Sequence, residues 1–344
     1  MEKPKNILII KMSSLGDIIH ALPALYALRR TYPDAIITWA AHEAFAGILP
    51  GKPWIDEIYI VNRKKIKNLQ YLFQVRRDLH QKKFDLVIDL QMIAKSGIIS
   101  FLSGCSRRIG YHDARECSGL FSKPIAGKHK KGHIIEQLLD VMAYLGCDTQ
   151  EIKFPLHDSD KEMPIVKERL SLYGINDKYI ILVPGTRGEK KKWPLQYWGK
   201  LAKKLAEKKI STVIVGSSGE KYMAEEIKKM SPSSFTADFT GKTNLLELIA
   251  LEKAASLHIS GDTGPLHIAN AVQAPIIALF GPTLPDRSGP YGNNNSDIFL
   301  AKAAGTASAD MATIPVESVY NLAVKKFKNQ IDTEINIGNS SLEF

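Results

Sequence analysis

The chain has 344 residues, 44% of them hydrophobic and 24% charged, with 46 Lys and Arg against 36 Asp and Glu for a net charge of +10. That apolar content excludes wholesale disorder, and the length exceeds one ordinary core, so two domains are expected. The basic excess favours acidic partners (phosphorylated small molecules, anionic lipid or nucleic acid) without choosing among them, and three cysteines without metal spacing fit a reducing compartment rather than a disulfide framework.

The first apolar run, residues 6–11, predicts a buried strand. No export-signal core precedes it, and no apolar stretch approaches the roughly 20 residues that span a bilayer, so a cytoplasmic protein is expected. A Ser-Ser-Leu-Gly turn follows, then a helix to about Arg30. Proline is tolerated best in a first turn, so Pro23 predicts a regular start near Leu22. Strands are expected at 35–40, 57–61 and 84–90, with a basic helix over 67–82. The polar segment 156–163 reads as a linker. The same grammar then restarts, with strands at 179–183, 211–215, 257–260 and 275–280 and helices at 193–208, 219–229 and 244–255. A loop from Gly261 enters one more helix, and 275–280 is the last strand expected. Continuous apolar strands alternating with helices indicate parallel sheets covered on both faces. The expected fold is therefore α/β, with Rossmann-like domains over 1–155 and 156–330, a polar tail over 331–344, and ligands in a cleft between the lobes at the carboxyl ends of the strands.

Three loops carry the candidate chemistry. In the first, Ser13, Ser14 and Gly16 make a tight turn before Asp17 and His20. Asp17 is either a helix N-cap or a base for an attacking hydroxyl, with His20 as the competing base. In the second, Thr186, Arg187, Lys190, Lys191 and Lys192 gather in a Gly-containing turn before a helix expected to start at Pro194. Cations and backbone N–H groups at a helix start suit a diphosphate; the alternative is a solvated basic loop. In the third, Asp262, Thr263, Gly264 and His267 lead from strand to helix, and Thr263 and Gly264 offer donors to a phosphate. Ser218 or Glu220, after the intervening strand, is placed to meet a ribose. Gly241-Lys242-Thr243 lacks the leading Gly of a P-loop, no G-x-G-x-x-G follows either first strand, and Asp158-Ser-Asp160 lies in the linker rather than after a strand.

Together these motifs resemble the ADP-heptose:lipopolysaccharide heptosyltransferases, glycosyltransferase family nine. The resemblance spans about residues 6–327. It rests on Ser13-Ser14-Leu15-Gly16-Asp17 with His20-Ala-Leu-Pro23, which is most like the type I enzymes, and on Asp89-Leu90-Gln91 with Lys95-Ser96. It rests also on Gly261-Asp262-Thr263-Gly264 through His267, with Phe280-Gly281-Pro282-Thr283. Met92 stands where the family has Gly.

The resemblance implies a GT-B fold, an ADP-heptose donor, a Kdo-lipid A acceptor, and inversion without metal or cofactor. It implies Asp17 as general base and a lysine before Trp193, Lys191 or Lys190, on the donor phosphates. Thr186, Arg187, Asp262, Thr263, Gly264 and His267 would line the donor site, with Ser218 or Glu220 at the ribose. Ser14, Gly16, Arg63, Lys95 and Arg115 would meet the acceptor. Peripheral association with the inner face of the cytoplasmic membrane follows from that acceptor. Two rival readings are a GT-B-like sugar-nucleotide epimerase or hydrolase, and a basic nucleic-acid-binding protein; the latter lacks any interleaving of aromatic and basic residues.

Overall fold

The computed structural model describes residues 3–231 and 234–340, with side chains to residue 330. The chain divides into two compact units, Met1–Asp158 and Ser159–Phe344.

The first unit runs β1 (Asn6–Ile10), α1 (Leu15–Thr31), β2 (Ile36–Ala41), α2 (Glu43–Ala46), β3 (Glu57–Ile60), α3 (Leu69–His80), β4 (Leu86–Asp89), α4 (Ala94–Leu102), β5 (Arg108–Tyr111), β6 (Lys123–Ile125) and α5 (Ile134–Tyr144). Its six strands lie in the order β3-β2-β1-β4-β5-β6, all pairs parallel. Ile7, Leu8, Ile9 and Ile10 are buried without alternation, because helices cover both faces of the sheet.

The second unit runs α6 (Met163–Ser171), β7 (Tyr179–Val183), α7 (Leu195–Glu207), β8 (Ser211–Ile214), α8 (Lys221–Met230), β9 (Thr236–Asp238), α9 (Leu245–Ala254), β10 (Leu257–Gly261), α10 (Gly264–Ala271), β11 (Ile276–Phe280), α11 (Pro285–Ser288), β12 (Ser296–Leu300) and α12 (Val316–Ser340). Its order, β12-β11-β10-β7-β8-β9, repeats the first sheet's design, again all parallel. Its core joins the strands to Trp193, Trp198 and Leu201 of the α7 segment and to Val319, Ala323 and Phe327 of α12. Among the described residues no helix is long and apolar enough to cross a membrane.

Several expectations need correction. Helix α1 starts at Leu15 and continues through Pro23. An interior proline costs about 3 kcal/mol; every residue from Ile18 to Arg29 is buried, and that burial outweighs it. The strand at 275–280 is not the last, since β12 follows; it is an edge strand with a half-exposed pattern, which weakens its apolar signal. Pro194 is the N-cap of α7 rather than its first residue. The expected polar tail overlaps α12, and residues 341–344 lie outside the described residues.

Candidate active site

In each sheet the chain order reverses once at the centre, between β1 and β4 in the first unit and between β7 and β10 in the second. Loops leaving neighbouring parallel strands at such a point diverge to opposite faces and open a crevice at the carboxyl edge. The three candidate loops, which follow β1, β7 and β10, flank these points together with the loop after β4.

In the first unit, the chain turns from β1 through Lys11–Ser14 into α1. Ser14 is the N-cap and Asp17 the third helical residue. Asp17 Oδ2 accepts hydrogen bonds from the Ser14 amide at 2.9 Å and the Ser14 hydroxyl at 2.6 Å. The acid is thus the reciprocating member of a capping box, not the N-cap itself. The other expected base, His20, is buried edge-on against His133, with ring centroids 5.7 Å apart, and packs within the unit.

The loop is gripped from β4. Gln91 Oε1 accepts from the amides of Met12 at 2.9 Å and Ser13 at 3.2 Å, and Lys11 Nζ donates to the Leu90 carbonyl at 2.7 Å. Lys11 is 3% exposed, and its Nζ lies 5.8 Å from the Tyr111 ring centroid. Burial pulls its ammonium below the usual lysine range, while the charges of Asp17 and Asp89 push the other way. Asp89 is fully buried. Burial pushes its carboxyl up to about 6, opposed by hydrogen bonds from Met92 and Gln91. Those amides donate to Asp89 Oδ1 at 2.9 and 3.0 Å.

Met92, where Gly was expected, has φ +48. That left-handed conformation explains a glycine preference. Its side chain is buried over Gly110, where a Cβ would meet the Met92 sulfur at 2.2 Å. The missing side chain at 110 makes room for the extra one at 92.

Among the other expected acceptor residues, Ser14 and buried Gly16 lie in the Asp17 turn and half-buried Lys95 near the start of α4. The Arg115 amide donates to the Met92 carbonyl at 3.0 Å, which ties the β5 loop to the β4 loop. Arg63 is not drawn into this group. It is exposed on the turn after β3, two strands from β1, or about 10 Å at the usual strand spacing.

In the second unit the centre is Asp262, at the end of β10. Its Oδ2 accepts from Lys191 Nζ at 2.6 Å and Thr283 Oγ1 at 2.9 Å. Its carbonyl accepts from Thr186 Oγ1 at 2.8 Å, and His267 Nε2 lies 3.8 Å from Oδ1. Thr263 is the N-cap of α10 and Gly264 its first residue, so the unpaired N–H groups of that helix start open beside Lys191.

The expected gathering of four cations does not form. Lys190 donates to the Ala307 carbonyl at 3.2 Å, Lys192 pairs with Glu189 at 2.5 Å, and Arg187 is exposed. Of the four, only Lys191 reaches the hub, which separates it from Lys190. The two residues weighed for the ribose are placed differently. Ser218 packs on Gly241, whose φ is +68, whereas the Glu220 carboxylate folds onto the β7 loop: a Cβ on Gly185 would stand 1.9 Å from Glu220 Oε1. The Ser217 amide and hydroxyl fix that carboxylate at 2.6 and 2.7 Å.

Sequence reasoning gave no role to Lys11, Asp89, Gln91 or Thr283. The last three lie inside quoted motifs, which was the available signal. Lys11 ends the apolar strand and opens the first candidate loop, a signal of position without one of chemistry.

Comparison with known proteins agrees with this layout. The model of glycosyltransferase family 9 (heptosyltransferase) matches residues 72–313. A lipopolysaccharide core heptosyltransferase, OpsX, of Haemophilus influenzae is 26% identical over 341 residues, covering 98% of this chain and 96% of that protein. The crystal structure of a family 9 glycosyl transferase from Veillonella parvula superposes with a TM-score of 0.83 at 22% identity, covering 94% of this chain and 97% of that one. The E. coli heptosyltransferase WaaC with ADP superposes with a TM-score of 0.75 at 23% identity, covering 93% and 99%. With its paired parallel sheets and the family's motifs at both switch points, the chain belongs to glycosyltransferase family 9, the heptosyltransferases.

Proposed function

We propose that the protein transfers heptose from ADP-heptose to the Kdo-lipid A inner core of lipopolysaccharide, with inversion at the anomeric carbon. The observation that carries this reading is the Asp262 hub, which fixes one lysine beside a helix N-terminus. An ammonium and backbone N–H groups suit a diphosphate, which gathers negative charge as the glycosidic bond breaks. Glu220, held beside the β7 loop, would take the ribose hydroxyls. The WaaC structure with ADP and the lipopolysaccharide-core OpsX relative favour the same donor and acceptor.

Asp17 would remove the proton of the attacking acceptor hydroxyl as the new bond forms. Its two hydrogen bonds from Ser14 aim the carboxylate. The hydroxyl proton passes to Asp17, and the bonding electron pair leaves with ADP, where Lys191 receives the charge. Lys95 and Arg115, beside this turn, would bind the acceptor's carboxylates and phosphates, with Arg63 further along the edge. The setting is cytoplasmic, at the inner membrane face, without nucleic acid.

The test is incubation with a panel of sugar nucleotides, with and without Kdo-bearing lipid A, and product identification by mass. Transfer from ADP-heptose supports the reading. Donor turnover independent of acceptor would make the protein an epimerase or hydrolase instead.

A further inference from the structure

Residues 62–77 carry six basic side chains, Arg63, Lys64, Lys65, Lys67, Arg76 and Arg77, with the first acid, Asp78, 3.7 Å from Arg77. Two large apolar side chains rise from the same stretch: Leu69 and Phe73 are each 71% exposed. Their spacing of four puts them on one face of α3, and Arg76, seven residues from Leu69, falls on that face too. The opposite face is spent on the core, through Val75 and Leu79 with Tyr71 and Leu72 beside them.

The basic turn is rigidly joined to this helix. Asn62 Oδ1 accepts from the amides of Lys64 at 3.0 Å and Lys65 at 3.3 Å, and Tyr71 Oη accepts from the Asn62 amide at 2.7 Å. Asn68 caps α3, its Oδ1 accepting from the Tyr71 amide at 3.2 Å, and the Asn68 amide donates to the Lys65 carbonyl at 2.8 Å. Cations and apolar pair therefore form one preshaped surface.

Single exposed apolar residues are ordinary, but an adjacent pair ringed by cations of one sign is not. A second copy of this face would bring like charges together, which disfavours self-association. An anionic lipid surface satisfies both parts, since its phosphates meet the cations and its acyl boundary takes the apolar side chains. We propose that α3 and the preceding turn form a membrane-docking element. Leu69 and Phe73 enter below the headgroups, and Lys64, Lys65, Lys67, Arg76 and Arg77 sit at the phosphates. This deepens the membrane setting in the functional reading above, yet its test does not depend on transfer.

The experiment is sedimentation of the full chain with phosphatidylglycerol-containing vesicles and with phosphatidylcholine alone. Wild-type protein should co-sediment with the anionic vesicles and be released by salt. The double variant Leu69→Ser, Phe73→Ser should lose at least about tenfold in partitioning, with unchanged melting and unchanged transfer to a deacylated, soluble acceptor. Lys64→Gln, Lys65→Gln, Lys67→Gln together should lose roughly a hundredfold at low salt. In Phe73→Trp, the emission of the introduced indole should shift to the blue on anionic vesicles and be quenched by brominated acyl chains. Wild-type sedimentation of the serine variant, or an indole in Phe73→Trp that the brominated chains leave unquenched, overturns the proposal. So does a lipid-free oligomer that the serine variant dissociates, because the face is then a contact between copies. Loss of soluble-acceptor transfer in that variant also overturns it, by assigning the face to the acceptor site. Absence of transfer in the wild type would count against the functional reading alone and leave the vesicle result standing.

Discussion

The two switch points solve one problem in opposite ways. Both hold a carboxylate at the carboxyl edge of a parallel sheet. Asp17 takes side-chain hydrogen bonds from Ser14, three residues away, and its loop is braced by Gln91 and Lys11. Asp262 is tied to residues far along the chain: Thr186, Lys191 and Thr283, with His267 nearby. In the proposed reaction the Ser14 donors would leave Asp17 a base aimed by its own turn. The Lys191 ion pair makes Asp262 an anchor for a cation. In that reading chemically similar groups would serve different roles, with the Asp262 carboxylate committed to an ammonium at 2.6 Å.

The sharpest way to break this contrast is Asp17→Asn. The amide can still meet the Ser14 hydroxyl but cannot take a proton. Turnover should fall by on the order of a hundredfold or more, with folding and ADP binding retained. Single-turnover kinetics beside ADP calorimetry decide it. Near wild-type turnover would remove Asp17 from the chemistry and make its capping role the whole story.

The second unit yields a smaller effect that discriminates between neighbours. Lys191→Ala should weaken ADP binding by roughly 1.5–3 kcal/mol, the range of a charged hydrogen bond. Lys190→Ala, whose ammonium turns to Ala307, should change it by about 0.5 kcal/mol or less. Equal losses in the two variants, read by calorimetry, would refute the separation that the hub implies.

The same contrast explains what was legible in the sequence. The Asp17 turn is local, so Ser14, Gly16 and Asp17 read correctly as a strand-end turn opening a helix. Its capping-box geometry was one step beyond, because Asp at the third position and Asp at the N-cap share a composition. The hub is non-local, so sequence could gather Arg187, Lys190, Lys191 and Lys192 in one loop but not say which one turns inward. Thr283, 21 residues past Asp262, showed only as part of a motif. Both sheets were legible in their central strands, whose apolar runs are continuous. Of the edge strands, β3 was expected and β6 and β12 were not, because those two are partly exposed and carry polar residues. Pro23 misled because the propensity rule weighs one residue against a helix whose burial outweighs it.

The smallest expected effect concerns what lies behind each loop. Behind Asp17 stands Asp89, fully buried and bonded through Oδ1 to two amides. Behind Asp262 stands Glu252, fully buried but hydrogen-bonded to His258 at 2.9 Å, with His258 passing on to Ser260 at 2.8 Å. Burial raises both carboxyls, and only Glu252 has an imidazole within hydrogen-bond reach to oppose it. For Asp89 the folded value of about 6 lies above the ordinary 3.8. Between those values the folded chain binds more protons than the unfolded one, so stability falls as pH rises through the window. Asp89→Asn keeps the acceptor for Gln91 and Met92 and removes the titration. Its stability relative to wild type should therefore climb from about pH 4 to about pH 6, then level off. The gain should be on the order of 1–2 kcal/mol, below the full linkage value because a buried site relaxes around its charge. Chemical denaturation across that pH range measures it. Glu252→Gln should climb in the same direction, because burial raises that carboxyl too although His258 opposes the rise. A flat difference for Asp89→Asn would mean that Asp89 carries its charge at no cost, and that the two loops do not differ in what supports them from below.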